Sequence, residues 1–321
     1  MAPKFVKIAV MWVALSLVSA FLLGFYDVFK KKSLSGNAVI PVLLINCAIC
    51  SMIFLPMIVL SAVGVTPEAS QFYVPVEGWA VHRFIILKSA IVLSSWICGY
   101  FAIKHLPVTI VGPVNATRPV MVLVGAMLLF GERLNLLQWG GVLIAILSFY
   151  LLGKSGKKEG IDFRSNHWVW LLVAAAVTGA ASGLYDKFLM GPADAARPGL
   201  GLNRLFVQGW YNLYQTLMMG IILLIFQLPE RGREGYTPLS WRWTIPLISV
   251  CLSAADMAYL YALSDPGAMI SVVSMIRRGS VLISFIFGAL IFREKNLRGK
   301  AFDLLLVLIS LVLLLLGSLK G

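Results

Sequence analysis

The sequence predicts an all-α integral membrane protein of ten transmembrane helices, arranged as a five-plus-five inverted-topology repeat. Three observations carry that expectation. The first is composition. Of 321 residues, 60% are hydrophobic and only 13% charged, against about 25% charged in an ordinary soluble domain, and the mean hydropathy is +0.89. A soluble globule of this size would have to turn much of that apolar surface towards water. A soluble enzyme, a disordered tail and a nucleic-acid-binding domain are thereby excluded. The net charge of +13 fits Lys and Arg in short loops against lipid headgroups. The second observation is that the apolar residues fall into ten runs, each near the ~20 residues a spanning helix requires. The third is that motifs of the first five runs return in the last five.

The runs cover roughly 8–29, 38–62, 84–103, 107–131, 135–153, 168–189, 204–228, 243–263, 267–292 and 300–318. The first starts at Ile8 and reaches Tyr26 without a charge, too long for a cleavable hydrophobic region, so it is expected to stay as a helix. The longest connections, near 63–83 and 229–242, carry Pro, Gly, Glu and Trp and suit interfacial loops. The most polar stretch, 154–166, falls at the midpoint with five runs on each side. It divides the chain into a repeat over 1–153, a linker over 154–166 and a repeat over 167–321.

The recurrence is specific. Run one ends with Gly24, Tyr26 and Asp27, and run six with Gly183, Tyr185 and Asp186. Ala20 precedes Gly24 as Gly179 precedes Gly183, giving both helices a small-xxx-small face for close packing. Runs four and nine set Arg118-Pro119 against Arg278-Gly279, and runs three and eight set Trp96 against Asp256. Five spans per repeat is odd, so the halves must lie in opposite orientations.

With the layout, the Phe130-Gly131-Glu132 element followed by Gln138 and Gly140, and its weaker copy at Glu294 and Gly299, the chain resembles the drug/metabolite transporter superfamily, in particular its EamA-like ten-helix members. The second copy departs from the pattern with Arg293 where the first half has Gly131, and Lys30–Lys32 is unusually basic for the end of a first helix. The resemblance implies a bundle whose third, fourth, eighth and ninth helices line a central cavity, with the first and sixth helping to gate it. It also implies secondary transport of a small metabolite by alternating access, often export, in the cell membrane (the inner membrane of a bacterium), with cytoplasmic termini. The distribution of Lys and Arg among the connections favours the opposite orientation. A homodimer is compatible with the sequence.

Chemistry-bearing residues are few. Cys47 and Cys50 form a C-x-x-C, but inside an unbroken apolar run with no His or second pair nearby, so buried thiols are expected. His82, His105 and His167 lie at run ends without metal-ligand spacing. Glu132 suits the start of helix five. Asn46 and Asn212 are expected to hydrogen-bond within the bundle. The pairs Tyr26-Asp27 and Tyr185-Asp186 are assigned to interfacial anchoring or gating, near opposite faces, with Asp paired to Lys30 or Lys187. No catalytic set, metal site or cofactor is expected.

The mid-span charges remain. Arg118, Arg278 and Asp256 lie near the centres of runs four, nine and eight, where a charge costs at least ~2.5–3.5 kcal/mol, so each needs a partner or a wet cavity. The bland reading is an internal ion pair of Asp256 with Arg278 or Arg277. The functional reading is a substrate pocket of Arg118, Arg278, Asn115, Trp96, Tyr259 and Asp256. Pro119 frees the Asn115 carbonyl by removing a helical donor, an irregularity tolerated at midplane binding sites. Guanidinium forks suit a carboxylate or phosphate, so the expected substrate carries an anionic group, and Asp256 is the candidate site for a coupling proton. Two other classes compete: a receptor or scaffold that moves nothing, and a polytopic intramembrane enzyme, for which no convergent carboxylates or nucleophile are visible.

Overall fold

The computed structural model describes residues 2–130, 135–157, 161, 163–191, 199–229, 237–263, 270–292 and 297–320. Every regular element among them is helical. The first half holds α1 (Ala2–Leu34), α2 (Val39–Ala62), α3 (Trp79–His105), α4 (Val108–Ala116), α5 (Arg118–Phe130) and α6 (Leu136–Lys157). The second holds α7 (His167–Met190), α8 (Arg204–Ile222), α9 (Thr244–Leu263), α10 (Ile270–Arg278), α11 (Ser280–Phe292) and α12 (Leu297–Lys320). A π-turn at Leu223–Gln227 prolongs α8. Nine stretches of the described residues are long and apolar enough to cross a membrane, and α6 carries a shorter apolar stretch, Leu136–Ser148.

Local chemistry sets the ends. Asn203 caps α8 by accepting from the amides of Leu205 (2.8 Å) and Phe206 (3.3 Å), satisfying donors the first turn leaves orphaned. Between α1 and α2 the chain reverses through Gly36, whose φ of 62° lies in the left-handed region that glycine enters without a Cβ penalty. Asn37 then ties that turn to the loop before α9, donating to the Ser240 carbonyl (2.7 Å) and accepting from the Ser240 amide (2.8 Å).

Runs four and nine are each split at the arginine. The first breaks at Thr117, whose carbonyl accepts from Val120 (3.0 Å) to start α5, while the Thr117 amide bonds back to Val114 (3.1 Å). Pro119 stands where a continuous helix would need a donor to Asn115. The second breaks at Gly279, whose amide bonds to Ile276 (2.9 Å) and whose carbonyl accepts from Leu282 (3.1 Å). The first break falls two residues before Pro119, the second at Gly279 itself.

Helix pairing is matched between the halves. The packing of α1 on α9 is answered by α3 on α7, that of α1 on α11 by α5 on α7, and that of α2 on α9 by α3 on α8; α6 packs on α12 and α2 on α8. That is the pattern a five-plus-five repeat generates. The small residues fall where backbones meet: a Cβ on Gly24 would sit 2.6 Å from Ile283 Cγ2, and one on Gly112 2.7 Å from Val281 Cγ2. The outer surface is apolar, with Phe21, Leu143, Leu224, Leu290 and Phe302 exposed, as a lipid-facing surface requires.

Three boundaries differ from expectation. Helix α3 begins at Trp79 rather than near 84, which puts His82 inside it. Helix α1 continues through Lys30–Lys32 to Leu34: Lys30 and Lys31 find partners in the bundle, while Lys32 is exposed. Helix α6 runs to Lys157, through the first residues assigned to the linker. Gly131, Glu132, Arg293 and Glu294 lie outside the described residues.

The α6–α12 contact is testable by a pair of neighbours. A Cβ on Gly141 would meet Leu314 Cγ at 2.8 Å and the Ser310 carbonyl at 3.0 Å, whereas one on Gly140 finds only Leu313 Cδ1 at 4.0 Å. Gly141→Ala is expected to destabilise the detergent-solubilised protein by about 1–3 kcal/mol, and Gly140→Ala to leave the melting temperature unchanged or raise it. Equal melting temperatures for the two variants would mean that α6 and α12 do not pack as described.

Candidate functional site

The split helices open onto a cavity of ≈ 170 Å³, well above the ~10–15 Å³ that one water needs and so large enough for a small solute. It is lined from α1, α3, α4, α5, α7, α8, α9, α10 and α11. Of the residues singled out in the sequence, Trp96, Asn115, Arg118, Asp256, Tyr259, Arg278, Tyr26, Asp27 and Asp186 all line it. Tyr185 does not. Its hydroxyl donates to the Phe84 carbonyl (3.2 Å), and its ring lies 5.8 Å from that of Phe188.

The interior is heavily charged for a membrane bundle. Asp27, Asp186 and Asp256 face Lys30, Lys88, Arg118, Arg277 and Arg278 across one space. Three ion pairs account for all three acids. Lys30 Nζ donates to Asp27 (2.9 Å) and lies 4.4 Å from the centre of the Tyr26 ring. Lys88 Nζ donates to Asp186 across the α3–α7 contact, with both side chains buried. Arg277 Nη2 donates to Asp256, which also accepts from Tyr211 Oη (2.9 Å). The Asp256 pairing extends further. Gln208 Nε2 donates to Tyr211 Oη (3.1 Å), Arg277 Nε donates to Ser19 Oγ (2.9 Å), and Ser19 donates to the Ala255 carbonyl (2.7 Å). The Arg277 guanidinium also covers the Tyr259 ring at 4.2 Å, a cation–π contact that fixes its plane.

Two guanidiniums are left over. Arg118 and Arg278 form none of the ion pairs among the described residues, and the buried Nε of each has no hydrogen-bond partner. Arg118 lies flat on α7 where Gly179 leaves room: a Cβ there would fall 2.6 Å from Nη1 and 2.7 Å from Cζ. Two buried amide oxygens of lining residues are likewise without partners, Asn115 Oδ1 and Gln208 Oε1. For Gln208 the network dictates which end is free. Asp256 only accepts, so Tyr211 donates to it, and Gln208 must then turn its amide nitrogen towards Tyr211.

The structure corrects several expectations. Asp27 and Asp186 both line the one cavity, at different levels: the Asp27–Lys30 pair meets α3 at Tyr100 and Asp186 meets it at Lys88, twelve residues away. Asp27 does pair with Lys30, and Asp186 pairs with Lys88, because α3 packs directly on α7; the Lys187 side chain lies outside the described residues. Of the two arginines offered to Asp256, Arg277 takes it and Arg278 does not. Residues missed in the sequence are Lys30 and Lys88 as cavity charges, with Gln208, Tyr211 and Tyr100. Lys88 carried a signal, standing in the third turn of α3 amid Phe84, Ile85, Ile86, Leu87, Ile91 and Val92. Gln208 and Tyr211 carried none, since their role depends on which face of α8 meets α9.

Away from the cavity, Cys47 and Cys50 are buried free thiols, and Cys50 Sγ approaches the Ser249 carbonyl at 3.7 Å. Asn46 accepts from Ser249 Oγ (3.0 Å), a bundle hydrogen bond. His105 stacks on Trp168 with centroids 3.7 Å apart, and His82 meets Tyr214 Oη at 3.0 Å. Among the described residues no group of three or more His, Cys, Asp or Glu could hold a metal ion.

Fold and cavity together define a multi-pass all-α membrane protein with a polar, positively biased interior. Residues 10–154 match the EamA-like transporter family, in agreement with the resemblance drawn from the sequence. An uncharacterized transporter of Pseudomonas aeruginosa is 31% identical over 124 residues, covering 39% of each chain, so the similarity spans well under half of that relative's length. A solved crystal structure is similar in fold with a TM-score of 0.64 at 14% identity, covering 96% of this chain and 99% of that one.

The Lys88–Asp186 pair yields a clean test. Removing one partner strands a buried charge, so Lys88→Met and Asp186→Asn should each destabilise by about 3–5 kcal/mol. The double variant, which strands nothing, should recover most of that loss in thermal unfolding. Additive losses would mean that the two side chains do not depend on each other.

Proposed function

We propose that the protein is a secondary transporter moving a small metabolite with an anionic group by alternating access, with the repeats over 1–153 and 167–321 rocking about the central cavity. One observation carries the reading: Arg118 and Arg278, at matched positions beside matched helix breaks, line the cavity without a carboxylate partner among the described residues. Buried charge is costly in a membrane bundle and marks substrate paths when no internal partner neutralises it. Broken helices at mid-depth expose backbone groups that a solute or water satisfies, as at transporter binding sites. The match of residues 10–154 to a transporter family and the similarity to a protein named as a transporter support the same class.

Within this reading the substrate contacts are Arg118, Arg278 and Asn115, with Trp96 and Tyr259 as aromatic walls. Tyr26-Asp27 with Lys30, and Asp186 with Lys88, act as gating pairs that separate as one repeat moves against the other. Tyr185 holds α7 to α3 from outside the path. The protein resides in the cell membrane, and export is the direction the family resemblance implies. Asp256 carries the coupling proton: protonation would release Arg277 from it and leave a further cation facing the substrate. No catalytic step belongs to this reading.

Reconstitution tests both levels. Proteoliposomes holding the wild-type chain should show counterflow of at least one member of a panel of amino acids, organic acids and sugar phosphates. Asp256→Asn should abolish accumulation driven by a proton gradient while sparing that exchange. Absence of counterflow across the panel would remove the transporter reading. Accumulation unchanged in Asp256→Asn would remove only the assignment of the proton.

A further inference from the structure

We infer that the ligand of this cavity carries two negative charges: a dicarboxylate or a phosphate monoester rather than a monoanion. The inference rests on the proposed binding function and specifies its substrate class. It comes from the charge inventory of the lining. Five cationic side chains meet three carboxylates, and each carboxylate is already committed. Asp27 accepts from Lys30, Asp186 from Lys88, and Asp256 from both Arg277 and Tyr211. None can turn to Arg118 or Arg278 without stranding the cation it now holds.

Two positive charges therefore remain, and they lie within electrostatic reach of each other. In a medium of low effective dielectric such a pair repels, and each charge carries a desolvation cost. A single carboxylate placed between them would leave one positive charge uncompensated at mid-depth. A dianion neutralises both.

Geometry points the same way. Arg118 opens α5 and Arg278 closes α10, so the guanidiniums approach the cavity from helices of different halves. Gly179 holds the Arg118 plane against α7. Arg277 is kept from competing by Asp256, Ser19 and the Tyr259 ring. Each free fork suits bidentate pairing with a carboxylate or phosphate. Two separate forks match either the two ends of a dicarboxylate or the several oxygens of one phosphate.

The test uses pairs of small anions that differ by one methyl group and therefore by one charge. These are succinate against monomethyl succinate, and methyl phosphate against dimethyl phosphate, measured by calorimetry at pH 8 on the full chain in detergent. A phosphate monoester, with its second ionisation near ~6, is a dianion there. At least one dianion should bind tenfold or more tightly than its methylated partner, and the better of the two distinguishes a dicarboxylate site from a phosphate site. In Arg118→Gln and in Arg278→Gln, each confirmed as monodisperse, the ratio should collapse towards one. Equal binding of dianion and methylated partner by the wild type would overturn the two-charge inference and leave the anionic-substrate reading standing, as would a ratio that persists in both variants. Failure of all four anions to bind would overturn both.

Discussion

A charge inside a membrane bundle has to be neutralised by something, and that constraint organises the interior of this protein. The surrounding lipid cannot solvate such a charge. The helices are accordingly placed so that Asp27, Asp186 and Asp256 each meet a cation, across a helix turn, across the α3–α7 contact and across the α9–α10 contact respectively. The third pairing recruits Tyr211, Gln208 and Ser19, so that α1, α8, α9 and α10 share one polar network. A network satisfied at nearly every member is rigid. Its rigidity gives the two uncompensated arginines fixed positions rather than leaving them to search for partners.

The backbone cooperates with that electrostatic arrangement. A continuous helix four would carry its side chains past the cavity at one fixed pitch. Breaking it at Thr117, with Pro119 forbidding the missing hydrogen bond, lets α5 start with Arg118 directed at Gly179. In run nine the same result is reached with a different residue: Gly279 interrupts the helix immediately after Arg278. Close packing of α1 and α4 on α11 depends on residues without side chains, Gly24 against Ile283 and Gly112 against Val281. The split helices can then lie against their neighbours closely enough for short ion pairs to form.

Much of this was legible in the sequence, for physical reasons. Spanning helices need long apolar runs, so all ten segments were visible, and a charge at mid-run is conspicuous, so Arg118, Asp256 and Arg278 stood out. Pro119 announced the irregularity of run four through its missing backbone donor. Partner choice was not legible. Arg277 and Arg278 are adjacent, and only the end of α10 decides which of them reaches Asp256. Lys30 and Lys88 lie near the ends of their apolar runs, where a lysine ordinarily turns to the headgroups. Their burial follows from the packing of α1, α3 and α7, which no local pattern encodes. That Asp27 and Asp186 would line one cavity was not legible for the same reason.

Under the proposed function Arg118 and Arg278 are held for a ligand, whereas Arg277 is held by the fold. Thermal unfolding of the ligand-free chain with each arginine replaced in turn by Met separates the two roles. Replacing an unpaired buried charge with an apolar side chain of similar length removes a cost, whereas replacing a paired one strands its partner. Arg118→Met and Arg278→Met are therefore predicted to keep or raise the melting temperature, and Arg277→Met, which leaves Asp256 without its cation, to lower it. A comparable loss of stability in all three variants would contradict the claim and make the two arginines ordinary ties between helices.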